Sequence, residues 1–584
     1  MTLVGARARV GTARPAVTTK RQVRTTVSQA DDFFTSHRRT LDEAVEATKT
    51  RGYYSAFPES PSPRVYGEKA GADGAAAFEG WLGKEFPLST PGAEGTVSTE
   101  KSPYGKPLDV SYPRVSPAGV PVLVEAASAG LAPWRDAGIE ARVGLGLEIL
   151  ERLHARIFEL ANAVQHTSGQ AFVMAFQAGG AHALDRALES IAYAYAEMTR
   201  VPGTAIWEKP GRDAPIRMEK TFTVVPRGLA LVIGCNTFPT WNSWPGFFAS
   251  LVTGNPVIVK PHPGAVLPLA ITVQACQEVL SEAGFNPDLV TLAAEDPADG
   301  LAGVLAIRPE VKLVDFTGGN AFGEWLEDHA RQAVVFTEKA GVNAVVIDST
   351  ESFKGMCFNL AFSLALYTGQ MCTAPQNLFL PAGGIETDDG HKTVVDVVAG
   401  LEAAFGKLVG DDARAVELLG GVVNSGVLDR LGQVGSTGTV AIVSREVTHP
   451  AYDNAVVRTP TVVVLDVADS STYESECFGP VAYLIKTPST VESITTFRRT
   501  VIEHGAMTAS VYSTSGEVLA SMRSAALDAG VALSENLTGQ VFVNQSAAFS
   551  DFHGTGANPA SNATFTDGAY VASRFRFIQS RRHI

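Results

Sequence analysis

Apolar residues recur at three- and four-residue spacing along IEARVGLGLEILERLHARIFELANAVQ and HALDRALESIAYAYAEMTR, between Trp134 and Val201, with Gly and Pro at the ends. One helix face repeats every 3.6 residues, so the spacing predicts two or three long helices. From Thr40 the stretch LDEAVEATKTRGYY has the same period. It gives way, from Phe57 to Gly74, to Pro, Gly and Ser, where regular structure is not expected.

Short β-rich runs follow: Phe222 to Val225, LALVIG, PVIVK and VKLVDF, the later ones separated by helix-like segments. Such alternation predicts parallel strands joined by crossover helices, a doubly wound sheet that places ligands at the carboxyl ends of its strands. After Glu338 the alternation resumes with NAVVID, a helix through Cys357 to Thr368, then NLFLP, TVVVLDV, VAYLI, ASVYS and QVFVN. These predict a second α/β body. The tail closes on alternating Arg574, Phe575, Arg576 and Phe577, a two-residue period that suits a strand for pairing or oligomer contact.

At 584 residues, 45% hydrophobic and 18% charged, the chain is globular and too long for one core. A formal charge of −14 argues against a general nucleic-acid or anionic-membrane surface, because phosphates repel such a field. Five cysteines without short paired spacing suit a reducing compartment rather than a disulfide framework or a metal site. With no apolar run long enough to span a membrane and no signal-peptide core, the expected location is cytoplasmic. Residues 1–30 carry six basic side chains and no acidic one, and read as a disordered basic leader.

The candidate chemistry centres on Cys372 in YTGQMCTAP. A thiol alone is weak evidence, since an unpaired cysteine is commonly a small core residue. A nucleophilic one needs a base nearby and N–H donors where the attacked oxygen turns negative. Four further stretches add to it: VIGCNTFPTWNSWPG with Asn236, GNPVIVKP with Lys260, FTGGNAFG with Gly318, Gly319 and Gly323, and TEKAGVNAVVI with Glu338. ESECFGP, with Glu476, comes later. In this order, over roughly residues 110 to 550, the set resembles the aldehyde dehydrogenase superfamily, and the 34-residue separation of Glu338 and Cys372 is the family's acid-to-thiol separation.

The resemblance implies an α/β fold with a Rossmann-type NAD(P)-binding domain (111–204 and 227–338), a catalytic domain (339–548) and a β oligomerisation arm (205–226 and 549–584), preceded by an N-terminal extension (31–110). It implies that Cys372 attacks the aldehyde, that Asn236 and the Cys372 N–H hold the oxyanion, and that Glu338 activates water to release the acid. Lys260, Gly318, Gly319, Gly323 and Glu476 would bind the cofactor, NADP or NAD. Two departures stand out. Thr237 separates Asn236 from Phe238-Pro239, and Pro263 stands where NAD-preferring members often carry an acid, which tips the choice to NADP.

The N-terminal RGYYSAFPESPSPRVYGE and the late VFVNQSAAFSDFHGTGANPASN are similar to the phenylacetic acid degradation (PaaN) branch of the family. That branch implies a ring-opened, CoA-linked semialdehyde as substrate, a homodimer or tetramer, and a separate enoyl-CoA hydratase, since no hydratase domain follows the match. A CoA-acylating dehydrogenase and a non-catalytic cofactor-binding scaffold remain as alternatives. His553, in FSDFHGTGANP, reads as a polar loop or satisfied core histidine, with no metal-like spacing around it.

Overall fold

The computed structural model describes residues 29–339 and 341–584, and the expected leader lies almost wholly outside them. The helical period holds, with interruptions. Ile139–Ala155 and Ile157–Ser168 are successive helices, and His182–Thr199 follows a π-helical turn at Gln177–Ala181. Arg38–Thr50 is the early helix, and Ser55 Oγ donates to Asp185 Oδ2 on His182–Thr199 at 2.6 Å. The stretch expected to be irregular up to Gly74 holds a short helix at Pro63–Tyr66 and is helical again from Ala70, where five alanines supply helix propensity and Phe78 one buried anchor.

The first sheet runs Val290–Leu292, Val257–Lys260, Leu229–Ile233, Val311–Thr317 and Val334–Glu338 from edge to edge, all parallel. Its central strands are buried on both faces, which is why they read as unbroken apolar runs. The second sheet orders Thr439–Ile442, Thr461–Asp466, Val481–Thr487, Asn377–Pro381, Ala344–Ile347, Ala509–Tyr512 and Leu533–Glu535, parallel except at the first pair. QVFVN, expected as a strand, is a loop. Side chains take its polar groups: Asn359 Nδ2 donates to Val541 O at 2.6 Å and Thr373 Oγ1 to Asn544 O at 2.8 Å.

A third, antiparallel sheet pairs Thr204–Lys209 with Ile216–Pro226, and that strand with the tail Phe575–His583. Arg574 does not join the alternation. It is fully buried, with Nη2 at 2.6 Å from Asp315 Oδ1 and Nη1 at 2.8 Å from Oδ2, and so fastens the tail to the first sheet. Among the described residues no helix is long and apolar enough to cross a membrane.

Candidate active site

The helix Phe353–Ala365 does not run on to Thr368 as a regular element. Tyr367 and Thr368 take φ of 53° and 57°, an unfavourable region for side chains with a Cβ, and Gly369 follows at 65°. The turn is held by its surroundings. The Tyr367 hydroxyl donates to Ser168 O, and Thr368 Oγ1 to Leu419 O at 2.7 Å. It reverses the chain into the loop that carries Cys372. Asn343 then clamps that loop, its Nδ2 donating to Cys372 O at 2.7 Å and Ala374 O at 2.8 Å.

Glu338 ends its strand beside this loop, 2% exposed. Oε1 lies 3.0 Å from His553 Nε2, and Oε2 accepts from Asn242 Nδ2 at 2.8 Å. Burial alone would push the carboxyl up, but the His553 charge and hydrogen bond, with the Cys372 hydrogen bond and the Arg186 charge, together outweigh it and hold Glu338 below the usual carboxylate range. Cys372 Sγ is 3.9 Å from His553 Nε2. Burial, then the adjacent Glu338 charge, pushes its thiol well above the ordinary value. A carboxylate oxygen of Glu338, the Cys372 Sγ and a ring nitrogen of His553 all lie within 4.8 Å of one another.

Asn236 spends one amide hydrogen elsewhere, its Nδ2 donating to Thr167 O at 3.0 Å, and the amide that reaches Glu338 is Asn242, on the helix Pro239–Val252. The extra residue at Thr237 gives the turn a length that the sequence reading did not place.

Lys260 ends its strand and Gly318 and Gly319 follow theirs, whereas Gly323 lies in the helix Asn320–His329 and Glu476 in the loop before Val481–Thr487. Lys260, 5% exposed, forms an ion pair with Glu295, which also accepts from Leu301 N at 2.6 Å. An acid thus stands beside Lys260 after all, from the neighbouring strand's end rather than from position 263. Gly318 N donates to Glu338 O at 3.0 Å, and a Cβ on Gly319 would meet nothing within 4 Å. Gly323 has a packing reason instead, because a Cβ there would lie 2.6 Å from Lys339 Cγ. Glu476 lines a cleft of about 260 Å³, part of it open solvent, together with Gly341, Asn343, Met371, Gln376 and Phe478. Burial pushes its carboxyl up to about 7, against the opposing charge of Arg430. Gln376 ties the two loops together, its Oε1 accepting from Cys477 N at 2.6 Å. Burial also pushes Cys235 up to about 11.

Asn242, Asn343 and Trp241 were not singled out by sequence reasoning, and His553 was noted without a role. All four stand inside quoted motifs, but nothing in their local spacing distinguishes a contact made across the fold.

With this geometry, the aldehyde dehydrogenase family model matches residues 93–556, and the chain belongs to that family. An NAD-dependent aldehyde dehydrogenase from Burkholderia multivorans superposes with a TM-score of 0.93 at 55% identity, covering 94% of this chain and 99% of that one. A 3,4-dehydroadipyl-CoA semialdehyde dehydrogenase of Aromatoleum evansii is 26% identical over 306 residues, 49% of this chain and 56% of that protein. A 1-pyrroline-5-carboxylate dehydrogenase of Geobacillus thermodenitrificans is 23% identical over 367 residues, 60% of this chain and 66% of that protein. The chain spans between about half and two thirds of the length of these curated relatives.

Proposed function

We infer that the chain oxidises an aldehyde to its carboxylic acid with a nicotinamide dinucleotide, through a thioester on Cys372. The observation that carries this reading is the meeting of Cys372 and Glu338, with Met371, next to Cys372 in the chain, lining the same cleft as Glu476. The thiol releases its proton to solvent and the sulfur adds to the aldehyde carbon, the oxyanion being held by the Cys372 N–H and the second amide hydrogen of Asn236. Gly319, Lys260 and Glu476 would hold a dinucleotide, and that group would supply the hydride acceptance that oxidises the adduct to a thioester. Glu338 then takes a proton from water, the water oxygen bonds to the acyl carbon, and the C–S bond breaks to release the acid.

Support for a dinucleotide comes from the bare backbone at Gly319 opening the helix Asn320–His329, the Lys260–Glu295 pair at the strand ends, and Glu476 in the cleft. In this reading a 2′-phosphate brought to Lys260 would face the Glu295 carboxylate, which favours NAD over the NADP suggested by Pro263.

The finer reading is a ring-opened, CoA-linked semialdehyde of aerobic phenylacetate degradation, handled by a cytoplasmic homodimer or tetramer alongside a separate enoyl-CoA hydratase. Similarity to the Aromatoleum enzyme, named for a CoA-linked semialdehyde, supports it. The test is NAD(P)H formation by wild type and Cys372→Ala across simple and CoA-linked semialdehydes, with products identified by mass. Free acid from wild type and no turnover by the variant are expected; an acyl-CoA product, or an active variant, would contradict it.

A further inference from the structure

The reaction as written leaves His553 idle, yet its placement is specific. The ring is 2% exposed and stands edge-on to Trp241 at 4.6 Å between centroids. Its backbone carbonyl accepts from Phe565 N at 3.0 Å, which fixes the loop. Nε2 faces two groups at once, Glu338 Oε1 at 3.0 Å and Cys372 Sγ at 3.9 Å. One nitrogen carries one hydrogen, and the distances give it to the carboxylate.

We propose that His553 is a positioning residue for thioester hydrolysis, its Nε2–H holding Glu338 ionised and turned toward the sulfur so that the base is ready when the acyl group arrives. This deepens the function inferred above and rests on Glu338 being the base.

Every charged or titratable neighbour of the carboxylate bears on the point. Cys372 faces it from the nucleophile loop, Cys235 from the turn before Pro239–Val252, and Arg186 from His182–Thr199. Asn242 and Thr317 contribute neutral hydrogen bonds. Arg186 is the second cation, but its Nη2 is directed to Phe565 O and its guanidinium lies over Trp241 at 4.1 Å. That leaves the His553 ring N–H as the histidine donor in hydrogen-bond contact with Glu338, at 3.0 Å. Without it, burial favours the protonated acid, which cannot accept a proton from water.

In the step concerned, the water oxygen bonds to the acyl carbon while its proton passes to Glu338. The C–S electron pair returns to sulfur, which recovers a proton from Glu338, and nothing is oxidised or reduced. His553 touches neither the water nor the acyl carbon.

The experiment uses the full chain without dinucleotide. Hydrolysis of p-nitrophenyl acetate is followed by stopped flow across the pH range, the burst reporting acylation of Cys372 and the steady phase its hydrolysis. His553→Gln keeps a neutral donor, His553→Leu removes it, and Glu338→Gln is the reference. Both His553 variants are expected to keep the burst, while the pH midpoint of the steady phase rises by about one unit or more and its rate at neutral pH falls roughly tenfold. A merely structural role would shrink the burst without moving the midpoint. If Glu338→Gln stops the steady phase while His553→Gln keeps the wild-type midpoint, the role of His553 is wrong and the base stands. If Glu338→Gln hydrolyses like wild type, the base assignment fails and this proposal with it.

Discussion

Asn343 and Cys372 are joined by a 2.7 Å hydrogen bond from the Asn343 side-chain amide to the Cys372 carbonyl. The same amide donates to Ala374 O at 2.8 Å, and its oxygen accepts from Met507 N at 2.8 Å and Thr508 N at 3.0 Å. All four hydrogen-bonding positions of one buried amide are thus used to hold the nucleophile's loop to the second sheet. Asn343→Ala strands two buried carbonyls and two N–H groups. A loss of about 2–3 kcal/mol of stability and slower alkylation of Cys372 by iodoacetamide are expected, read by denaturant unfolding and mass spectrometry. A variant with wild-type stability and alkylation rate would refute the clamp.

The Lys260–Glu295 pair sets an expectation for the cofactor. Glu295→Gln removes the charge that a 2′-phosphate would meet, so the ratio of kcat/KM for NADP to that for NAD should rise roughly tenfold, about 1.4 kcal/mol. Binding of NADPH, followed by its fluorescence, should tighten in parallel. An unchanged ratio would remove Glu295 from cofactor choice.

How far the sequence reaches is clear from these same residues. Parallel strands such as Leu229–Ile233 and the order of the motifs were legible, because buried strands write themselves as local apolar runs. Cys372 and Glu338 were legible through their surrounding turns and their spacing. His553 and Glu338 lie 215 positions apart, and no local period records such a contact. QVFVN misled because its composition suits a strand while the contacts that keep it a loop come from Asn359 and Thr373. Arg574 was assigned to a strand face by alternation, whereas Asp315 draws it into the core.

Asp185 should make the docking of the N-terminal segment depend on pH. Burial pushes its carboxyl from 3.8 up to about 6, against hydrogen bonds from Ser55 and the Ala56 N–H. The folded chain therefore holds the proton more tightly than the unfolded one. Its contribution to stability is present below pH 3.8 and is lost as pH rises through about 6. Asp185→Asn should flatten that slope, read as hydrogen exchange of residues 51–57 at pH 5 and pH 7. An unchanged slope would contradict the assignment.

Removing one member of the buried Arg574–Asp315 pair leaves the other charge without its partner. Arg574→Met is expected to cost about 3–5 kcal/mol. The double variant with Asp315→Asn should recover part of that loss, since no buried charge then remains. Denaturant unfolding of the set checks it, and additive losses would argue against a coupled pair.

The most direct test of the proposed chemistry is intact-mass analysis of Glu338→Gln after mixing with aldehyde and dinucleotide. One equivalent of NAD(P)H, an acyl group mapped to the peptide carrying Cys372, and no further turnover are expected. Steady turnover at the wild-type rate, or an adduct on another residue, would contradict hydrolysis by Glu338 of a thioester on Cys372.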